Sequence, residues 1–242
     1  MNRQPPDFAH VEAWVFDLDN TLYPADCNLF QQIDARMTAF IERHLQLTHA
    51  QARILQKDYY VRYGTTMSGL MREHAVKPHD FMDYVHDIDL SPVSENRALA
   101  ETIAGLPGDK FIFTNGSVRH AENVTAKLGL AGLFDGVFDI AAAEFTPKPH
   151  METYERFLKT HDVDASCAAM FEDIAHNLVS AHALGMTTVL VASDARWLDD
   201  EPADKRPARR EDAHDFVHHM TDDLPEFLKT IETARSPAAV RA

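Results

Sequence analysis

The sequence predicts an α/β fold in which a parallel sheet is covered by helices on both faces. Short apolar runs that end in polar residues alternate with segments whose apolar residues recur at spacings of three and four. Strands that alternate with helices indicate right-handed βαβ units and therefore a parallel sheet. One long stretch after the first strand carries only the helical spacing, which indicates an all-helical insert. The length of 242 residues suits a main domain with a modest insert.

Five apolar runs are the predicted strands, and a sixth, weaker run near the end of the chain resembles a strand. Each is short and is bounded by polar residues. In chain order, the runs are Ala13–Phe16, Lys110–Phe113, Val137–Ile140, Ala168–Phe171, Thr187–Val191 and the strand-like Phe216–Met220.

Helical spacing separates several of these strands. It predicts helices over Val118–Leu128 and Met151–Thr160, and a last helix over Leu224–Thr233. Residues 193–212 are charged and contain two prolines. We therefore expect this segment to be a surface excursion between the last two strands.

The stretch directly after the first strand contains no convincing strand. Pro92 marks the return of the chain to the sheet. The predicted domains are therefore a core of residues 1–21 and 92–242 and a helical insert of residues 22–91. The helices predicted within the insert are Leu29–Leu47, His49–Tyr63, Thr66–Glu73 and Pro78–Val85.

The charge of the chain narrows the class of ligand. The formal net charge is −15, which argues against binding of a nucleic-acid polymer or an anionic membrane. The first residues lack the apolar stretch of a signal peptide, and no apolar run is long enough to span a bilayer. Cys27 and Cys167 are expected to be reduced, which indicates a cytoplasmic protein. An anionic ligand must then meet a local positive charge or a metal.

Polar side chains follow four of the predicted strands. Because ligands of parallel α/β sheets bind beyond the carboxyl ends of the strands, we expect these side chains to lie along one edge of the sheet. Each is common alone, and their convergence is the specific signal. They are Asp17 and Asp19 after the first strand, Thr114 and Asn115 after the second, Lys148 after the third, and Glu172, Asp173 and Asn177 after the fourth.

Two aspartates separated by one residue require a group that neutralises them. Burying carboxylates costs free energy unless a cation or protons compensate the charge. The oxygens of Asp17 and Asp173 suit Mg²⁺, which prefers octahedral oxygen coordination. Together with Lys148, the dication would leave a site that attracts phosphate. The sequence therefore predicts Mg²⁺ as the cofactor and a small phosphorylated metabolite as the ligand.

The same aspartates suggest covalent phosphoryl transfer. Asp17 is predicted to attack phosphorus and to form an aspartyl-phosphate, because carboxylates serve as nucleophiles in covalent catalysis. Asp19 is predicted to protonate the leaving oxygen and then to deprotonate the water that hydrolyses the intermediate. The phosphoryl oxygens, which carry the charge during transfer, are predicted to contact Thr114, Asn115 and Lys148.

Simpler interpretations of several residues stay open at this level. Asp19 could cap the turn after the strand, and Asn177 could fix the start of a helix. The fourteen histidines lack paired ligand spacing, and we expect them at the surface. The aromatic residues Tyr23, Tyr63 and Phe81 of the insert are expected in a hydrophobic core.

The strand-end residues occur in four motifs that resemble those of the haloacid dehalogenase (HAD) superfamily of phosphohydrolases. The motifs are D-L-D-N-T, T-N-G, K-P and E-D-x-x-x-N, and the resemblance covers essentially the whole chain. It implies a Rossmann-like core, dependence on Mg²⁺ and a nucleophilic Asp17. It also implies that the main-chain carbonyl of Asp19 joins Asp17 and Asp173 as a metal ligand. The insert would be the small all-helical (C1-type) cap of the first subclass.

A finer resemblance is to the pyrimidine 5′-nucleotidase group. It rests on D-L-D-N-T-L-Y-P, on Y-G-T-T-M-x-G-L at 63–70 and on F-E-D-x-x-x-N-L. It implies a pyrimidine nucleoside 5′-monophosphate, UMP or CMP, as the substrate. Many relatives carry Gly-Asp where this chain has Glu172-Asp173, and Asp where it has Asn177. We assign Glu172 and Asn177 a supporting role.

Three alternative functions are compatible with the same kind of core. A phosphatase for another small metabolite, such as a sugar phosphate or phosphoglycolate, would need the same residues. A haloacid dehalogenase displaces halide from carbon, and the resemblance implies that it lacks the second aspartate of the first motif. A non-catalytic phosphate-binding protein would be expected to lose Asp17 or Asp19. Both aspartates are present, which favours a phosphomonoester hydrolase.

Overall fold

The chain is built around a parallel β-sheet, as the sequence predicts. A computed structural model describes residues 7–197, 206–212 and 214–235. Within these residues the sheet has six strands in the order β3-β2-β1-β4-β5-β6, and every neighbouring pair is parallel. The strands are β1 (Ala13–Phe16), β2 (Asp109–Phe113), β3 (Gly136–Phe138), β4 (Ala168–Glu172), β5 (Thr187–Val191) and β6 (His219–Thr221).

Helices connect the strands and fill the insert. Of those in the described ranges, α5 and α8 were not among the predicted helices, and both are short. None of the helices described is both long and apolar enough to cross a membrane. The helices are α1 (Leu29–Leu45), α2 (His49–Tyr63), α3 (Thr66–His74), α4 (Pro78–Val85), α5 (Arg97–Gly105), α6 (Val118–Leu128), α7 (Met151–His161), α8 (Leu178–Ala183) and α9 (Leu224–Arg235).

Each face of the sheet carries its own hydrophobic core. Successive side chains of a strand point to opposite faces, so Trp14 and Phe16 pack in one core while Ala13 and Val15 pack in the other. All four are buried. Burial on both faces explains why β1 reads as a continuous apolar run rather than as an alternating one.

The third strand ends earlier than predicted. The prediction extended it to Ile140, but β3 ends at Phe138 because the next residue begins a turn. The Asp139 carboxylate accepts hydrogen bonds from the backbone N–H groups of Val118 (3.1 Å) and Ala142 (2.9 Å). Ile140 then leaves the sheet and packs in the core of the helical insert.

The helices α1–α4 pack around a third hydrophobic core. Phe40 of α1 meets Phe81 of α4 edge to face, with ring centroids 5.1 Å apart. Helices α2 and α3 approach closely at Gly69, where an added Cβ would lie 2.4 Å from the ring of Tyr59. The division into a core of 1–21 and 92–242 and an insert of 22–91 stays a prediction, and its outermost residues 1–6 and 236–242 lie outside the described residues.

The ends of the insert pack against the sheet rather than in the insert's own core. Leu22, Tyr23 and Leu29 are buried in the core that also holds Trp14. At the other end of the insert, Leu90 packs against the same core, so the insert leaves and re-enters the sheet through segments that the sheet itself holds in place.

Part of the predicted surface excursion over 193–212 is buried. Ala208 is 2% exposed, and its backbone N–H donates to the carbonyl of Asp173 at 2.7 Å. Its carbonyl accepts from the N–H of Ser193 at 2.8 Å. The expectation of a surface segment was therefore wrong for Ala208, because these two bonds tie it to the residues that follow β4 and β5. Residues 198–205 lie outside the described residues.

Candidate active site

The carboxyl ends of β1, β2 and β4 open into one cavity between the sheet and the helical insert. The three strands run in register, since Phe16 pairs with Ile112 on one side and with Phe171 on the other, so their ends lie side by side. All eight predicted site residues line the cavity. They are Asp17, Asp19, Thr114, Asn115, Lys148, Glu172, Asp173 and Asn177.

Lys148 lies at the centre of this group and is buried. Its Nζ donates to Asp17 Oδ1 (2.6 Å), to the carbonyl of Phe113 (2.8 Å) and to Glu172 Oε2 (2.7 Å). Burial alone would lower the pKa of Lys148, but the two carboxylates outweigh it and raise the pKa above its ordinary value. An ammonium has three N–H donors, so a phosphate oxygen that bonds Lys148 directly must displace one of these acceptors.

Glu172 is anchored by both of its oxygens. Oε2 accepts from Lys148, and Oε1 accepts from Asn177 Nδ2 at 2.7 Å and from the N–H of Ile174 at 3.3 Å. The Asn177 side chain makes no capping bond to helix α8, although the residue precedes that helix. It binds Glu172 instead, so the simpler interpretation of Asn177 as a helix cap does not hold.

An acidic cluster of Asp17, Glu172 and Asp173 has the spacing of a metal site. Each residue offers one oxygen within 4.8 Å of the others. Asp173 Oδ2 is buried and has no hydrogen-bond partner in the described structure, which is costly unless another group meets it. Glu172 already uses both oxygens, so Asp17 and Asp173 are the members with capacity for a cation. Hard carboxylate oxygens of this kind fit Mg²⁺.

The pKa values of the cluster report the same unbalanced charge. Burial, followed by the charge of Glu172, raises the pKa of Asp17 to about 7 even though Lys148 opposes the shift. Burial and the neighbouring carboxylates also raise the pKa of Asp173 well above its ordinary value. One lysine is therefore not enough to keep Asp17 and Asp173 fully ionised at neutral pH, whereas a bound cation would favour the ionised form of both.

Asp19 has a different environment from Asp17. Its Oδ1 accepts a hydrogen bond from the Tyr23 hydroxyl at 2.6 Å and lies 2.8 Å from His120 Nε2. Burial would raise the pKa of Asp19, but His120 and Tyr23 outweigh burial and lower it to about 2. The side chain thus binds other side chains rather than capping the turn after β1, and the two aspartates are held in contrasting states.

The expectation that the histidines lie at the surface was wrong for His120. This side chain is 1% exposed, and its ring stacks on His86 with centroids 4.3 Å apart and 8° between the planes. His86 Nδ1 lies 3.0 Å from Ser117 Oγ. The same oxygen accepts a hydrogen bond from the backbone N–H of His120 at the start of α6. Burial, then the charge of His120, lowers the pKa of His86 to about 3.

A positional signal for His120 exists in the sequence. It lies in the first turn of the helix that follows T-N-G, and the first turn of a helix after a parallel strand faces the ligand edge of the sheet. Metal-ligand spacing was the wrong criterion, because His120 binds a carboxylate instead.

The loop after β2 is shaped by its own polar side chains. Thr114 Oγ1 accepts from the N–H of Gly116 at 2.9 Å, and Asn115 Oδ1 accepts from the N–H of Lys148 at 2.9 Å. Thr114 is buried at the cavity wall. The loop therefore links the second and third motifs directly beside Asp17.

The insert supplies the opposite wall of the cavity. Its apolar part consists of Phe30, Ile33, Met37, Met67, Phe81, Met82 and Val85, and its polar part of Asp34, Gln56, Lys57, Tyr60, Thr65, Thr66 and His86. Tyr23 and Phe81 are buried as expected, but Tyr63 is only half-buried. The Tyr63 hydroxyl pairs with Glu73 and Arg62 on the outside of the insert, away from the cavity.

Comparison with known proteins identifies the family. A model of the haloacid dehalogenase-like hydrolase family matches residues 11–185. The chain belongs to this family. Phosphate metabolism protein 8 of Saccharomyces cerevisiae is 28% identical over 203 residues, which cover 76% of this chain and 62% of the yeast protein. The match thus spans less than two thirds of the length of that curated relative.

Solved structures of HAD proteins share the fold. The HAD phosphatase from Thermococcus onnurineus superposes with a TM-score of 0.61 at 15% identity, covering 91% of this chain and 98% of its own. An L-2-haloacid dehalogenase from Xanthobacter autotrophicus gives 0.56 at 17% identity, with the same coverage of 91% and 98%. These likenesses establish the architecture of this HAD-like hydrolase. Because a phosphatase and a dehalogenase share this architecture, it does not by itself decide the reaction.

Proposed function

We propose that this HAD-like hydrolase is a Mg²⁺-dependent phosphomonoester hydrolase that acts through an aspartyl-phosphate on Asp17. The observation that carries the proposal is the contrast between the two aspartates. Asp17 lies against Lys148 in the acidic cluster, whereas Asp19, which also lines the cavity, is held by Tyr23 and His120. Transfer to a carboxylate followed by hydrolysis needs both a nucleophile and a separate proton carrier.

Asp17, Asp173 and the main-chain carbonyl of Asp19 would hold the metal, which supplies positive charge next to the phosphoryl oxygens when bound. In the first step an oxygen of Asp17 forms a bond to phosphorus. The bond between phosphorus and the ester oxygen breaks, its electron pair stays on the leaving oxygen, and Asp19 gives that oxygen a proton. The negative charge of the phosphate beside Asp19 favours its protonated form, which the ligand-free site does not.

In the second step Asp19, now ionised, takes a proton from a water molecule. The water oxygen attacks phosphorus, the bond from phosphorus to Asp17 breaks, and inorganic phosphate leaves. Asp17 regains its carboxylate and Asp19 the proton that it gave to the leaving oxygen, and Asp19 loses this proton again once phosphate has left, because the ligand-free site favours its ionised form. We assign Thr114, Asn115 and Lys148 to the phosphoryl oxygens in both steps, and Lys148 would release one of its three present acceptors to make this contact.

Within this class, we take a pyrimidine nucleoside 5′-monophosphate, UMP or CMP, as the substrate. The finer sequence resemblance supports this choice, and so does an insert wall that joins an apolar patch to polar side chains such as Tyr60 and Gln56. Another small phosphate ester, such as a sugar phosphate or phosphoglycolate, is the second candidate. The cytoplasmic location, the absence of nucleic-acid and membrane partners and the C1-type cap stay predictions.

A panel of phosphate esters tests the proposal. We expect purified protein with Mg²⁺ to release phosphate from UMP and CMP, to be inactive after chelation, and to recover when Mg²⁺ is returned. Asp17→Asn should fall to the uncatalysed background while still folding, as its circular dichroism spectrum would show, since the amide is a poor nucleophile.

Halide release from 2-chloropropionate is measured in parallel. Halide release without phosphate release would mean that the chain is a dehalogenase. Binding of phosphate with no turnover of any ester would leave a non-catalytic binding protein, and hydrolysis of sugar phosphates alone would leave the broader phosphatase.

A further inference from the structure

The carboxylate of Asp19 is held by two groups from separate parts of the fold. Tyr23 lies four residues further along the same loop, and His120 lies in helix α6, and both contact the same oxygen, Oδ1. Among the described residues the hydrogen bonds of this side chain end on Oδ1. Oδ2 is therefore the oxygen left for a ligand. The Asp19 side chain, which lines the cavity, is 19% exposed.

We infer that His120 is a positioning residue for Asp19. Its Nε2–H, together with the Tyr23 hydroxyl, fixes the carboxylate plane so that Oδ2 faces the leaving oxygen of a bound ester. The inference rests on the proposed phosphatase function and deepens it by assigning a residue outside the four motifs.

The His120 ring is well placed to hold a fixed direction. Nε2 carries a hydrogen in the neutral Nε2–H tautomer and in the imidazolium alike, so the ring can donate to Asp19 in either state. It is clamped by the stacked His86 ring and is almost completely buried. Ser117 contacts both α6 and His86, because its Oγ caps α6 and lies 3.0 Å from His86 Nδ1.

His86 directly follows helix α4, so the ring that stacks on His120 belongs to the insert. The direction of the Asp19 carboxylate therefore depends on a contact between the insert and α6. A correctly seated insert would thereby place the proton carrier as well as close the cavity.

The consequence appears in the step that breaks the ester bond. As that bond breaks, the leaving oxygen takes the proton from Asp19 Oδ2, and a carboxylate free to rotate presents this proton less often. Misplacement of a catalytic group by about 1 Å can cost about 100-fold in rate. A leaving group that departs without a proton is insensitive to the loss.

The experiment compares kcat/KM for p-nitrophenyl phosphate, phenyl phosphate and UMP, whose leaving groups need the proton increasingly. We expect His120→Leu to lose about 10–100-fold on UMP and less than about threefold on p-nitrophenyl phosphate. His120→Gln, which returns an N–H donor at similar reach, should recover part of the loss on UMP. Combining His120→Leu with Asp19→Asn should cost no more than Asp19→Asn alone, because both changes remove one function.

The outcomes are separable. Equal losses on all three esters, or full additivity with Asp19→Asn, would overturn the inference and leave His120 as a packing residue, with the phosphatase function intact. No hydrolysis of any ester by the wild-type protein would overturn the proposed function and this inference with it. If His120→Leu does not fold, His120→Gln and Tyr23→Phe carry the test, and Tyr23→Phe should show the same selective loss on UMP.

Discussion

At the scale of single residues, Glu172 is the clearest departure from the pattern of its relatives. A carboxylate beside Asp17 and Asp173 adds to their repulsion, and it raises the pKa of both. Two hydrogen-bond partners offset the cost of this buried charge: one oxygen of Glu172 accepts from Lys148 and the other from Asn177. We therefore propose that Glu172 aims Lys148 at Asp17 rather than binding a metal.

Replacing Glu172 tests this role. Glu172→Ala leaves one donor of buried Lys148 and the amide of Asn177 unpaired, and removing one partner of a buried ion pair typically costs about 3–5 kcal/mol. We expect the melting temperature to fall by roughly 2–4 °C per kcal/mol for a chain of this size. The exposed Glu152 of α7 is the matched control, and Glu152→Ala should stay within about 0.5 kcal/mol. Equal stability of the two variants would contradict the anchoring role.

Residue identities at the strand ends could be predicted, but their partners could not. Asp17, Thr114, Lys148 and Asp173 follow strands that a simple apolar pattern reveals, and parallel strands end at one edge. His120 was missed because metal-ligand spacing does not reveal a histidine that binds a carboxylate, and its partner Asp19 lies 101 positions away along the chain.

At the scale of elements, the sequence pattern predicted the long helices and buried strands well and their ends less well. Helix α2 has the predicted bounds, and a capping box at Thr48 explains its start. Strand β3 is three residues long, and its predicted end was lost to a turn made by Asp139. Short elements are decided by such side-chain bonds more than by apolar periodicity.

Helix α2 also offers a matched pair of tyrosines for testing the insert. Tyr60 lines the cavity, whereas Tyr63, one turn later, contacts Glu73 and Arg62 outside it. If the insert recognises the nucleoside, Tyr60→Ala should lower kcat/KM for UMP about tenfold or more relative to ribose 5-phosphate, which lacks the base. Tyr63→Ala should leave the ratio unchanged. A ratio that moves equally in both variants, or in neither, would place recognition elsewhere than at Tyr60.

At the scale of the whole molecule, negative charge is the dominant constraint. The chain has a formal net charge of −15. Four carboxylates meet at one cavity, those of Asp17, Asp19, Glu172 and Asp173, and buried Lys148 pairs with Asp17 and Glu172. Folding brings these carboxylates together, so the folded state is the one that gains most from a cation. Burial and this excess of charge raise the pKa of Asp17 and Asp173, so these two side chains bind protons more readily when no metal is bound.

This competition between protons and the metal leads to a pH prediction. Folding raises the pKa of Asp17 from 3.8 to about 7, so between these values the folded chain binds more protons than the unfolded chain. Raising the pH through this window therefore lowers the contribution of Asp17 to the free energy of unfolding. His86, with its pKa lowered to about 3, contributes in the opposite direction below its ordinary value of 6.5. The pH dependence without metal is thus a sum of opposed effects.

The increment in stability caused by Mg²⁺ isolates the site better, because groups whose charge does not change on metal binding cancel from the difference. Mg²⁺ must displace the proton of Asp17 below pH about 7, and the raised pKa of Asp173 adds to this competition, so the apparent affinity should fall by at least about tenfold for each pH unit below that value. A ligand that binds only the folded state raises the free energy of unfolding in proportion to the logarithm of its concentration over Kd. We therefore expect excess Mg²⁺ to raise the melting temperature more at pH about 8 than at pH about 6. Asp173→Asn should remove most of the increment at both pH values, and an increment independent of pH in the wild-type protein would contradict the displacement of protons from Asp17 and Asp173 by the metal.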